Sequence, residues 1–136
     1  MSNFTDFKSA GPIDLPSVLE RIGGDEAFLQ ELIDIYIEDF IEKYGQLKQA
    51  IEQGEFDTIK EVGHSLKGAS GNLSLAGLQE TAYSLELSGK EKNIEEARNS
   101  FVLLGEEFER LKDLVSPEKW SNIEGRILQI KTNVQS

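Results

Sequence analysis

From Ile94 to Val115 the apolar residues Ile94, Ala97, Phe101, Leu104, Phe108, Leu111 and Val115 advance by alternating steps of 3 and 4. Only a helix puts such a series on one side, because a turn takes about 3.6 residues. The seam has the form that one helix of a bundle presents to its neighbours, and Pro117 closes it. A second, longer stripe runs through Leu29, Leu32, Ile33, Tyr36, Phe40, Tyr44, Leu47 and Ile51. Gly23-Gly24-Asp25 opens it, with Asp25 as N-cap, and Gly54 ends it. Two shorter helical segments are expected between these, over residues 55–70 and 74–87, separated by Gly71-Asn72 and followed by a break at Ser88-Gly89-Lys90. Leu15 to Ile22, with Pro16 in its first turn, predicts a short cover helix. Strand alternation is absent, and Pro12, Pro16 and Pro117 leave the middle of the chain free to be helical. The expected architecture is all-α: an antiparallel up-down four-helix bundle with a short N-terminal cover helix.

The ends divide off from residues 13–116, which carry the bundle. Residues 1–12 show little periodicity and are expected to be flexible. In the extension 117–136, Ile123, Ile127, Ile130 and Val134 recur at helical spacing and predict an extra C-terminal helix. Ile123-Glu124-Gly125-Arg126 also resembles a protease recognition site of the kind appended to expressed proteins, so a native and an added origin for this part stand open.

A chain of 136 residues makes one domain of ordinary size. With 25 acidic against 14 basic residues its net charge is -11, which opposes nucleic acid and anionic membranes as partners. The absence of cysteine removes disulfides, thiolate metal sites and thiol nucleophiles. The first residues lack the basic and apolar regions of a signal peptide, and no stretch approaches the roughly 18 apolar residues of a membrane span. A soluble, cytoplasmic, monomeric protein is expected.

Histidine is the side chain whose charge changes near neutral pH, and the chain has one, His64. At roughly 100° per residue the apolar arc of Ile59, Val62, Leu66, Ala69 and Leu73 centres about 180° from His64. The imidazole therefore points away from the core, with Lys60, Lys67, Gly68 and Gly71 on its own side. A glycine in an exposed helix costs about 0.5–1 kcal/mol relative to alanine, yet Gly63, Gly68 and Gly71 all fall in this one segment. Gly68, one turn after His64, leaves room for another molecule to approach. Lys67, with Lys60 one turn earlier, can place an ammonium beside an anion on the ring, and phosphate is the obvious anion. A solvated surface histidine near a fraying helix end is the plainer alternative. Glu61 and His64 have the spacing of one half of a di-iron site, but a second such pair cannot be formed from one histidine. Ser65 and Ser70 lie near His64 without the turn that a serine nucleophile requires, and no phosphate-binding glycine loop is present.

The run His64-Ser-Leu-Lys67-Gly68-Ala-Ser-Gly71-Asn72-Leu73 closely resembles the active-helix signature of histidine-containing phosphotransfer (HPt) domains of two-component phosphorelays. The helical plan is similar to that family from Phe28 to Val115. The resemblance implies that His64 accepts a phosphoryl group, that Lys67 supports it electrostatically and that Gly68 gives access. It implies reversible exchange with the aspartate of response-regulator receiver domains, and a hybrid sensor histidine kinase upstream. No cofactor of the chain's own is implied; Mg²⁺ is expected on the receiver. The sequence departs from many members at Ser74-Leu75, where they have a glycine and a small residue.

Acidity is concentrated away from the histidine: residues 14–55 carry 11 acidic and 3 basic side chains, residues 56–92 carry 5 and 4. On the long helix Ile37 and Ile41 sit to one side of the main apolar stripe and Ile35 to the other. Ile37 and Ile41 are either a wide core arc beneath the cover helix or a docking patch for the receiver, shared with Ile13, Leu15 or Val18. With no carboxylate cluster or nucleotide-binding segment in sight, the chain reads as a phosphocarrier without kinase activity. A helical scaffold with an incidental His64 is the competing class.

Overall fold

The computed structural model describes residues 13–132. The expectation of a flexible segment at 1–12, and the contribution of Val134 to the last helix, lie outside the described residues. Among the described residues six α-helices follow one another: α1 (Leu15–Arg21), α2 (Glu26–Gln53), α3 (Phe56–Asn72), α4 (Ala76–Glu91), α5 (Ile94–Glu109) and α6 (Pro117–Thr132). A 3₁₀ turn over Arg110–Leu114 tightens the end of α5. The described residues contain no strand.

Local chemistry sets the boundaries. Asp25 accepts from the Phe28 amide at 3.0 Å and starts α2, as Asn93 accepts from the Glu96 amide at 3.0 Å and starts α5. Gly54, at φ 69°, turns the chain out of α2. Lys92 does the same for α4 at φ 56°, a left-handed conformation that costs a lysine what it does not cost a glycine. Ser74, between α3 and α4, is likewise left-handed at φ 57°, at the position where the resemblance implies a glycine. Leu75 beside it is buried in the core. Around this turn α1 is fastened: the Asp14 amide donates to the Ser74 carbonyl at 3.0 Å, and Arg21 donates to the Gly71 carbonyl and to Ser74 Oγ.

Helices α2 to α5 form the bundle, and α6 lies outside it against α2 and α5. The core between α2 and α5 is a column of rings. Phe40 stacks on Phe108 with centroids 4.0 Å apart, Tyr44 stacks on Phe101 at 4.3 Å, and Trp120 from α6 closes over Phe108 at 5.5 Å. Burial pushes the Tyr44 phenol up to about 12, with the Glu109 carboxylate adding to the effect. Tyr36 is held to α3 by a buried 2.7 Å hydrogen bond with Ser70.

The expected C-terminal helix is present, and it buries Trp120, Ile123 and Ile127. Lys119 pairs with Asp34 at 2.9 Å and Arg126 with Glu38 at 2.9 Å, and Ile130 reaches to Gly45. This corrects the docking expectation for Ile37 and Ile41, which are only 2% and 6% exposed. Asp34, Glu38 and Gly45, which meet α6, share their face of α2, so the arc is wide because a helix covers it. Ile13 and Val18 are also core residues, leaving Ile35 and Leu15 exposed.

The expected break at Ser88-Gly89-Lys90 is absent. Helix α4 runs through it, with Ser88 and Gly89 buried against α3. A Cβ on Gly89 would stand 2.5 Å from the Lys60 amide nitrogen. The glycine there serves a close helix crossing rather than a helix end.

Candidate functional site

The α3–α4 wall is thin because small residues line its crossing. Gly63 faces the Ala82 carbonyl and the Glu86 backbone, Gly89 faces Phe56 and Lys60, and Ser70 and Ser88 are buried nearby. Gly63, immediately before the histidine, therefore has a packing role. The imidazole of His64 stands outside the wall with 69% of its side chain exposed.

Two helices contribute to what surrounds it. From α4, Glu86 brings one carboxylate oxygen to 3.1 Å from His64 Nδ1 and the other to 2.8 Å from Lys67 Nζ. The hydrogen bond from Lys67 is the main cause that holds the Glu86 carboxyl below the usual value, and His64 adds to it. Tyr83, one turn before Glu86, lies with its ring centroid 4.9 Å from Lys67 Nζ. The carboxylate thus bridges the two residues that the sequence singled out.

Glu86 was not legible as part of the site: the sequence shows no carboxylate cluster, and this is a single carboxylate. Its distance in sequence, 22 residues, hides a contact that only the helix crossing creates. The one signal for it was a charged residue flanked by the apolar Leu85 and Leu87 in a helix with buried neighbours.

The other expected residues separate. Gly68 is open: a Cβ there would find nothing within 4 Å, so the space beside the imidazole is free. Gly71 is not open, since the Gln79 amide lies over it and its carbonyl accepts from Arg21. What covers Gly71 is the flexible end of the exposed Gln79 side chain. Lys60 is exposed one turn from His64, and no ion pair joins it to another described residue.

Chemically the arrangement offers a solvent-facing imidazole with one nitrogen committed. If Nδ1 carries the proton it donates to Glu86, and Nε2 is left with its lone pair toward solvent. Lys67 supplies a cation one turn away. Among the described residues no group of His, Cys, Asp or Glu is arranged to hold a metal ion, and no helix is long and apolar enough to cross a membrane.

The family model for the Hpt domain matches residues 31–115. The fold is similar to the crystal structure of the histidine-containing phosphotransfer protein ZmHP2 from maize, with a TM-score of 0.66 at 20% identity, over 93% of this chain and 90% of that one. No curated protein matches the chain.

Proposed function

Since this chain belongs to the Hpt domain family, we propose that His64 is its phosphoryl acceptor and that it exchanges the group reversibly with the aspartate of receiver domains. The observation that carries this reading is the geometry at His64: an imidazole 69% exposed, with Nδ1 held 3.1 Å from Glu86 and Nε2 free.

The transfer needs no proton to move within this chain. The Nε2 lone pair attacks the phosphorus of an aspartyl phosphate, the P–O bond to that aspartate breaks, and the aspartate leaves as carboxylate. The ring becomes a phosphoimidazolium that keeps its Nδ1 proton, and its positive charge faces Glu86 across a charge-assisted hydrogen bond. The return step reverses this and releases the same neutral tautomer. Lys67 balances charge on the phosphoryl oxygens, Lys60 adds a more distant cation, and the open space at Gly68 admits the receiver. Mg²⁺ belongs to the receiver's acidic pocket, and a hybrid sensor histidine kinase stands upstream. The chain acts as a phosphocarrier with no kinase activity of its own.

A panel of phosphorylated receivers tests this directly. Label should move to the wild-type chain, disappear in mild acid as a phosphoramidate does, and be absent from His64→Gln. Excess unphosphorylated receiver should draw it back. Labelled ATP with Mg²⁺ alone should leave the chain unlabelled. Failure with every receiver would favour a helical docking scaffold instead.

A further inference from the structure

We propose that Tyr83 is a positioning residue for the phosphoryl group, acting through Lys67; this rests on the reading of His64 as the acceptor. The other two tyrosines, Tyr36 and Tyr44, are 4% and 1% exposed and serve the core, whereas Tyr83 is 47% exposed. Among the described residues Tyr83 makes no side-chain hydrogen bond or ring pair, and the Lys67 ammonium lies 4.9 Å from its ring centroid. The face of an aromatic ring attracts a cation, and this contact is what ties Tyr83 to the site.

The spacing explains the arrangement. Tyr83 and Glu86 are three apart on α4 and present one face to Lys67 on α3. A lysine stem is long and rotatable, and an ion pair at a surface restrains it weakly. Glu86 holds the ammonium from one side at 2.8 Å and the ring bounds it from another. An ammonium has three N–H groups, so one remains for a phosphoryl oxygen on His64. The ring thereby keeps the cation one turn from the imidazole, and its removal lets Lys67 sweep through solvent.

The test uses chemical phosphorylation, which requires no partner. Phosphoramidate transfers its phosphoryl group to His64: the Nε2–P bond forms as the P–N bond to ammonia breaks, and ammonia leaves with that electron pair. Decay of the phosphohistidine signal is then followed by ³¹P NMR at neutral pH, with melting checked for each variant. Tyr83→Leu, which keeps apolar bulk without a ring face, should shorten the lifetime by about two- to five-fold. Tyr83→Phe, which keeps the face, should restore the wild-type value. In a Lys67→Ala chain, already short-lived, adding Tyr83→Leu should change nothing more.

Equal lifetimes for wild type and Tyr83→Leu would overturn the proposal. So would an undiminished Tyr83→Leu effect in the Lys67→Ala background, because that would mark a structural role. Failure of the phosphorylated wild-type chain to pass its group to any receiver would overturn the phosphorelay reading and the functional meaning of Tyr83 with it. That outcome is read from transfer, and the failure of Tyr83 alone is read from decay.

Discussion

Gly63 lies so close to Glu86 that a Cβ on the glycine would stand 2.7 Å from the Glu86 amide nitrogen. The residue after Gly63 is the imidazole that Glu86 holds, so one backbone contact sets both the packing of α3 on α4 and the reach of the carboxylate to His64. Gly63→Ala must push the helices apart, and a destabilisation of about 1–3 kcal/mol is expected, as for other overpacked sites. Gly68→Ala, five residues on and in open space, should instead stabilise by about 0.5–1 kcal/mol. Urea unfolding of the two variants checks the opposite signs.

Glu86→Gln separates charge from geometry. A glutamine oxygen can still accept from Nδ1, so the tautomer is kept, but the phosphoimidazolium loses its anionic partner. A charged acceptor is worth about 1 kcal/mol more than a neutral one, so transfer from a phosphorylated receiver should slow by about five- to ten-fold. Stopped transfer kinetics at fixed receiver concentration measure it.

The same carboxylate gives a pH dependence of known sign. Glu86, through the hydrogen bond from Lys67 and then His64, and Glu38, through Arg126, are both held below the ordinary 4.5 in the folded chain. The unfolded chain then binds protons first as the pH falls, so this stabilisation is complete above the ordinary value and is lost as pH drops through the lowered ones. Urea midpoints measured below pH 5 should decline less steeply in Glu86→Gln than in wild type. Parallel declines would remove the assignment.

Two left-handed residues predict a contrast. Lys92 closes α4 at φ 56° and its side chain is exposed, so Lys92→Gly should stabilise by about 0.5–1 kcal/mol. Ser74 has nearly the same backbone but fastens α1 through Ser17 and Arg21, so Ser74→Gly should give less or nothing. Thermal melts of both variants distinguish them.

The bundle and the helix of His64 were legible because both are periodic: Ile59, Val62 and Leu66 are buried where the arc put them, and His64 is exposed opposite. What was not legible depends on contacts between helices. Gly89 resembles a helix end until α3 is placed against it, and Ile37 and Ile41 resemble a free patch until α6 covers them. Glu86 is one of many acidic residues in the sequence, and only the crossing at Gly63 distinguishes it.

Helix α6 covers the α2–α5 side, while the lone imidazole stands on the α3–α4 wall. With His64 as the proposed acceptor, a donor and a recipient that both need the same Nε2 would have to occupy that wall in turn. The chain should then obey double-displacement kinetics, in which the first partner departs before the second arrives, and a crowd of unphosphorylated receivers becomes a competitive inhibitor of loading.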